Sequence, residues 1–400
     1  MKLKQLSQKF HRVWMEEGII SAIGRVFHFA GNIEGRKIRR EDVRCAKRER
    51  GEVLFINGCC IENPTRYRVL HQMEQLRLSG YTCNKVFFED LDDKMEANYR
   101  LFIFYRCEWT KEVDAFIKLA KSHNKKLIFD VDDLIIDTKY TDKVPFIQEL
   151  LPRNRAVFDD IVRRTGKTLA LCDLATTTTK TLSEELGRVV PKTYINRNVA
   201  SKEMIDCAQK AYEKQRVKAK EIKLGYFSGS LTHNEDFELI RSALERILNQ
   251  YPEVKLMLVG ELSANDSLKR YGDRIIKLDL TGWRKLPELI AQVDINLAPL
   301  EDTIFNRSKS EIKWIEAALV HVPTVASCVG AFEEMILPME TGVLCDNTEQ
   351  SWFESLQKII ESSELRNKIG ENAYRYVMKN CTTESQAKAY RNFMEQVLSE

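Results

Sequence analysis

FNRSKSEIKWIEAA, residues 305–318, sets a polar, hydroxyl-rich loop directly in front of a helix, and PTVAS at 323–327 follows as a buried strand. The N–H groups at a helix start are unpaired and sit at the positive end of its dipole, so they suit phosphate. Asn306, Ser308, Lys309 and Ser310 add side-chain donors in the loop, and Lys313 and Glu316 lie within the helix. Glu316 can accept hydrogen bonds from sugar hydroxyls of the same ligand. That pairing of phosphate donors with a hydroxyl acceptor suits a nucleotide sugar.

Outward from this stretch the pattern repeats. KLGYFSGS (223–230), KLMLVGE (255–261), RIIKLDLTGW (274–283), DINLAPL (294–300) and GVLCD (342–346) read as strands, with helices near 235–250, 285–292, 310–320 and 351–361. An earlier series holds VLFING (53–58), LFIFYR (101–106), KLIFDVDDL (126–134) and LALCDLATTTT (169–179), with helices near 65–80 and 113–123. A charged segment without Gly or Pro, 201–221, separates the two. Alternating strands and helices predict parallel, doubly wound sheets, whose ligands bind at the carboxyl ends of the strands. Two such domains facing each other make a cleft.

The 400 residues exceed one ordinary core. A hydrophobic share of 44% with 30% charged residues belongs to a soluble globular chain, and no run approaches the ~20 apolar residues of a membrane span. The ten cysteines are scattered, without a CxxC pair, and read as reduced thiols rather than as disulfides or zinc ligands. A net charge of +3 is too small to imply nucleic acid. Basic residues concentrate in the first forty, interleaved with apolar ones at helical spacing. Such helices can lie on an anionic membrane surface or pack as a hairpin on the main body, and both readings stand.

FNRSKSEIKWIEAA and PTVAS, with GYFSGSLTHNEDF upstream (225–237), resemble the C-terminal half of family 4 glycosyltransferases of the GT-B fold. The resemblance implies an α/β architecture of two Rossmann-like, doubly wound domains facing a cleft, here with an N-terminal helical extension. The expected domains are residues 1–50 as a basic amphipathic extension, 51–200 for the acceptor, 201–375 for the nucleotide-sugar donor, and 376–400 as a helix returning to the first domain. Tyr374, Tyr376, Tyr390 and Phe393 are expected to pack there. The family's acidic motif has two glutamates separated by seven residues. The second matches Glu316, which then holds the nucleotide ribose, while the first falls on Ser308. Asn306, Lys309 and Ser310 are the expected replacements for the missing carboxylate's contacts. Ser228, Gly229 and Ser230 would cradle phosphate, His233 would stand at the cleft edge, and Gly260 and Glu261 would line the base or ribose pocket. Gly282 and Trp283 follow where the family often contacts the base, though Trp283 reads equally as packing.

In the first half, Arg66 and Arg68 follow the first strand and suit a leaving diphosphate or an anionic acceptor, one of them facing the cleft. FDVDDL (129–134) admits a Mg²⁺ site or a phosphatase nucleophile loop on its pattern alone. The resemblance instead puts Asp132 and Asp133 in place of a His-Asp pair on the acceptor side, as catalytic groups with Lys309 and Glu316, and leaves Asp130 as a strand-end cap. No metal or cofactor is expected beyond the nucleotide diphosphate sugar as co-substrate. The implied activity is retaining transfer to a glycan or lipid-linked acceptor in cell-surface polysaccharide synthesis, in the cytoplasm at the inner membrane face, which residues 1–40 would contact. Two alternatives remain: a nucleotide-sugar epimerase or hydrolase, and a non-catalytic binding subunit of the same fold, for which the absent first glutamate argues.

Overall fold

The computed structural model describes residues 33–214, 221–228, 234–260 and 266–400. The chain divides into two compact units, one of residues up to 177 with 182–196 and 390–400, the other of residues 178–181 and 197–389.

The first unit is built on six parallel strands: β1 (Val53–Asn57), β2 (Cys83–Phe87), β3 (Leu101–Tyr105), β4 (Lys126–Asp130), β5 (Leu174–Thr177) and β6 (Thr193–Ile195), in spatial order β2-β1-β3-β4-β5-β6. Buried on both faces, β3 (LFIFY) is apolar throughout, as central parallel strands must be. The order reverses between β1 and β3, which opens a crevice at their carboxyl ends. Two edge strands, β2 and β6, escape the sequence reading because their patterns, CNKVF and TYI, are short and only half-buried. The segment read as a strand from 169 is instead the end of a long helix, Pro152–Leu171, so β5 begins only at Leu174. A proline at its first turn starts that helix where its missing N–H costs nothing.

Of the N-terminal extension, the helix Ile33–Arg48 packs along β2, with Lys85 bonded to Asp42 and Arg39 to Glu89 at 3.0 Å. At this end the extension packs on its own unit. The rest of the basic segment, residues 1–32, lies outside the described residues.

The second unit repeats the plan with β7 (Ile222–Phe227), β8 (Val254–Val259), β9 (Ile275–Leu278), β10 (Ile295–Ala298), β11 (Thr324–Ser327) and β12 (Val343–Cys345), in order β12-β11-β10-β7-β8-β9. Here the reversal falls between β7 and β10. The charged stretch after 201 forms a helix, Lys202–Glu213, capped by Ser201, whose hydroxyl accepts from the Met204 N–H at 3.3 Å. Helices Ser363–Asn380 and Thr383–Ser399 follow. Of the four aromatics expected on the first unit, Tyr390 and Phe393 do pack there, Phe393 stacking on Tyr194 at 3.9 Å. Tyr374 and Tyr376 pack within the second unit, on His321 and Trp314, because the chain leaves that unit only at 390. All ten cysteines are free thiols, and no helix among the described residues is long and apolar enough to cross a membrane.

Candidate functional site

The helix Ile312–Ala318 is oriented by Trp314, which is fully buried and donates its indole N–H to the Thr341 carbonyl at 2.8 Å. Ile315, Ala317 and Ala318 bury the same side. Lys313 and Glu316, three apart and therefore neighbours on one face, are left half-buried on the other. The Lys313 ammonium lies 4.7 Å from the Tyr226 ring at the end of β7. Burial lowers its pKa to about 8 and nearby Lys309 adds to the fall, while Asp236 opposes it. Glu316 lines a cavity of about 10 Å³ with Met204, Trp283, Leu286, Ile290 and Leu319, room for about one water. Trp283 thus stands at the same crevice as Glu316.

Asp236, in the first turn of helix Asn234–Gln250, organises the switch point between β7 and β10. It is buried and accepts from the Glu301 N–H at 2.9 Å and from the Asn306 amide at 3.1 Å. Asp236 was not singled out in the sequence. The signal was an acidic residue in a first turn, which helix dipoles explain without further function. Ser228, at the end of β7, is buried, and Gly260 after β8 carries φ +101°, where a Cβ would stand 2.0 Å from the Ser228 carbonyl oxygen. Close backbone approach therefore requires a glycine at 260. Gly229, Ser230, His233 and Glu261 lie outside the described residues.

Three of the expected donors are engaged inside the protein. Ser308 is fully buried and donates its hydroxyl to the Ile304 carbonyl at 2.9 Å, so it is no outward phosphate ligand and offers no substitute for a carboxylate. Asn306 is buried against Asp236, and Ser310 Oγ accepts from the Asn198 amide at 3.0 Å. The Lys309 backbone N–H donates to the Asn306 carbonyl at 3.0 Å, while its ammonium stands 5.6 Å from the Phe305 ring and makes no hydrogen bond or ion pair among the described residues. Lys309, Lys313, Glu316 and Asp236 thus form one charged cluster at the carboxyl ends of β7 and β10.

In the first unit the carboxyl ends of β1, β3 and β4 also converge. Gly58 donates its N–H to the Tyr105 carbonyl at 2.8 Å, and a Cβ there would meet the Arg106 carbonyl at 2.4 Å. Arg106 turns the chain with φ +43° and donates from Nε to Asp132 Oδ1 at 2.7 Å, while the Tyr105 hydroxyl reaches the same oxygen at 3.0 Å. A second guanidinium nitrogen lies 3.5 Å from Asp133, whose carboxylate also accepts from the Leu134 N–H at 3.1 Å. Arg106 was missed in the sequence because nothing in LFIFYR distinguishes it from a charge ending a strand.

Arg68 does not face a ligand. It is fully buried and forks onto Asp130, Nε to Oδ1 at 2.9 Å and Nη2 to Oδ2 at 2.6 Å, with Nη1 donating to the Asn196 carbonyl at 2.6 Å. Asp130 also accepts from Gln72 at 3.0 Å and from Thr176, so it is the centre of a core network rather than a cap. Arg66 is buried too, its guanidinium 4.3 Å from the Tyr67 ring. A helix of mixed α and π turns over 62–70 directs both arginines inward.

Residues 223–362 match the family described as glycosyl transferases group 1. A Bacillus subtilis protein named as a candidate glycosyltransferase, YtcC, is 22% identical over 187 residues, 43% of this chain and 45% of that one. The chain thus matches about half the length of that relative. Among solved structures, a glycosyltransferase from Rickettsia africae superposes with a TM-score of 0.61 at 12% identity, covering 87% of this chain and 99% of that one. Sucrose-phosphate synthase from Thermosynechococcus elongatus gives 0.60 at 16%, covering 88% and 100%. Alr3699/HepE of Anabaena, solved in complex with UDP-glucose, gives 0.57 at 15%, covering 86% and 100%. Residues 223–362 thus resemble a glycosyl transferases group 1 domain, set in a chain whose two parallel six-stranded sheets are those of the GT-B fold.

Proposed function

We propose that this chain transfers a sugar, with retention of configuration, from a nucleotide diphosphate sugar to a glycan or lipid-linked acceptor in cell-surface polysaccharide synthesis. The observation that carries the reading is the cluster of Lys309, Lys313 and Glu316 at the switch point of the second sheet, within the matched domain. Open α/β sheets bind ligands at that point. The two ammonium groups stabilise the charge that grows on the diphosphate as the glycosidic bond loosens, and Glu316 accepts from the ribose. In this scheme the acceptor hydroxyl attacks from the same face and its proton leaves to a phosphate oxygen, so the lysines supply positive charge without a metal. Asp132, held by Arg106 and Tyr105, positions the acceptor, with Asp133 beside it. Activity at the inner membrane face through residues 1–40 belongs to the same proposal. Binding of UDP-glucose by Alr3699/HepE, of the same fold, is consistent with a nucleotide sugar as donor.

A second reading rests on Ser308, whose buried hydroxyl leaves the first glutamate's place without a carboxylate. It makes the chain a nucleotide-binding subunit without turnover. Melting the purified chain with a panel of nucleoside diphosphates and nucleotide sugars, with and without EDTA, tests both, since a ligand of the native state raises the melting temperature. A shift with one base that survives EDTA is expected. Sugar release from that donor in the presence of acceptor, abolished in Glu316→Ala with the fold intact, supports the transferase. Binding without release supports the subunit, and wild-type turnover by Glu316→Ala would overturn the donor-site assignment.

A further inference from the structure

The loop carrying Lys309 is held from behind by a buried polar cluster that the proposed reaction leaves unused. Thr179 donates to the Ser308 carbonyl at 3.5 Å and Asn198 to Ser310 Oγ at 3.0 Å. The next residue, Glu311, is fully buried, and neither of its carboxyl oxygens has a hydrogen-bond partner among the described residues. It stands at the N-cap of helix Ile312–Ala318 without capping it. A buried carboxylate with unfilled lone pairs is costly, and structures rarely keep one that a neutral side chain could replace.

Its opposite charge is Arg197, where Nη1 lies 3.6 Å away, beyond hydrogen-bond length. The same guanidinium is already committed elsewhere: Nη2 donates to Glu334, and Nη1 to the Thr178 carbonyl at 3.4 Å. One cation is therefore shared unequally between two carboxylates, Glu311 on the loop and Glu334 on helix Ala331–Met335. Among the described residues, Cys381 and Tyr376 are the other titratable groups that feel the Glu311 charge, and burial pushes the pKa of both upward, so they stay neutral through the physiological range.

We propose that Glu311 is a proton-dependent positioning residue for the donor loop. When it is ionised, Arg197 is drawn between the two carboxylates and the backbone of 308–311 is tied to the Arg197 segment. When it takes a proton from solvent, Glu334 holds Arg197 alone and that tie is lost. This inference rests on the donor-site reading above for its effect on ligand, but not for the tie itself. Burial raises the Glu311 pKa to about 7 against the pull of Arg197, with Glu334 raising it further. The sign follows: between the ordinary value of 4.5 and about 7 the folded chain holds a proton that the unfolded chain has released. The stability contributed by Glu311 therefore falls as pH rises through that window and is level above it.

The test uses the full chain and three variants: Glu311→Gln, Glu334→Gln and Arg197→Lys. Hydrogen-exchange protection of a peptide spanning 305–314, corrected for intrinsic rates, is followed from pH 5.5 to 8.5, with melting temperature and UDP, GDP and ADP affinity alongside. Wild type is expected to gain protection with a midpoint near pH 7 and to lose melting temperature from pH 5 to 7. Glu311→Gln is expected to flatten both profiles. Glu334→Gln, which frees Arg197 for Glu311, is expected to move the midpoint down by about one pH unit, and Arg197→Lys to move it up. Profiles of wild type and Glu311→Gln that coincide would overturn the proposal; if that variant does not fold, an unmoved midpoint in Glu334→Gln does so. Absence of nucleotide binding at every pH, with the protection profile intact, overturns the donor-site reading alone.

Discussion

Lys313 is the residue on which the proposed chemistry bears most directly. Its ammonium, over the Tyr226 ring and near Lys309, has a pKa lowered to about 8, chiefly by burial. A diphosphate binds its charged form, so affinity is expected to fall as pH rises through about 8. By the Henderson relation the loss is about tenfold between pH 7 and pH 9. Titration calorimetry with the nucleotide found in the melting panel checks this, with Lys313→Met expected to bind more weakly and without that slope. An unchanged slope in Lys313→Met would remove this lysine from the site. At this scale the sequence was a partial guide. Lys309, Lys313 and Glu316 were legible because their spacing on a loop and helix already implied a common face. Arg68 was misread because arginines at a helix start look like ligand groups, and only the burial of Asp130 beside it shows where its charge is spent. Asp236, Arg106 and the Arg197–Glu311–Glu334 set carry no local pattern, since each acts on residues far along the chain.

Among the elements, the turns at the strand ends control the site more than the strands themselves. The loop after β8 needs Gly260, with φ +101° and the Ser228 carbonyl 2.0 Å from where a Cβ would stand. Gly260→Ala is expected to cost about 2 kcal/mol or more in chemical denaturation and to weaken nucleotide binding, because β7 and β8 must part at their carboxyl ends. Gly272, also at positive φ (+58°) but with open space around it, is the control, and Gly272→Ala is expected to lose only the backbone-strain share, about 1 kcal/mol. Equal losses at both positions would show that close approach at Ser228 is not what matters. Strand identity was legible wherever a strand is buried on both faces, as in LFIFY and VKLMLV. It was lost at β2 and β6, and at the end of helix Pro152–Leu171, where a short apolar run fits either period.

For the whole molecule, each unit has its own core, and the Arg68–Asp130 network lies entirely in the first. Arg68→Ala leaves Asp130 charged and buried, at a cost of about 3–5 kcal/mol. Scanning calorimetry is expected to show the first unit's transition moving down in that variant, while bound nucleotide raises the other; a nucleotide shift confined to the first unit would misplace the donor site. By itself the sequence determined two α/β units, their parallel sheets and the short helix that carries Lys313 and Glu316, because hydrophobic period and chain order suffice for those. Only the tertiary structure decided the strand orders, and with them which two loops meet at each switch point. It alone decided which charges are buried with partners. Those choices depend on contacts between residues scores of positions apart, and no local periodicity records them.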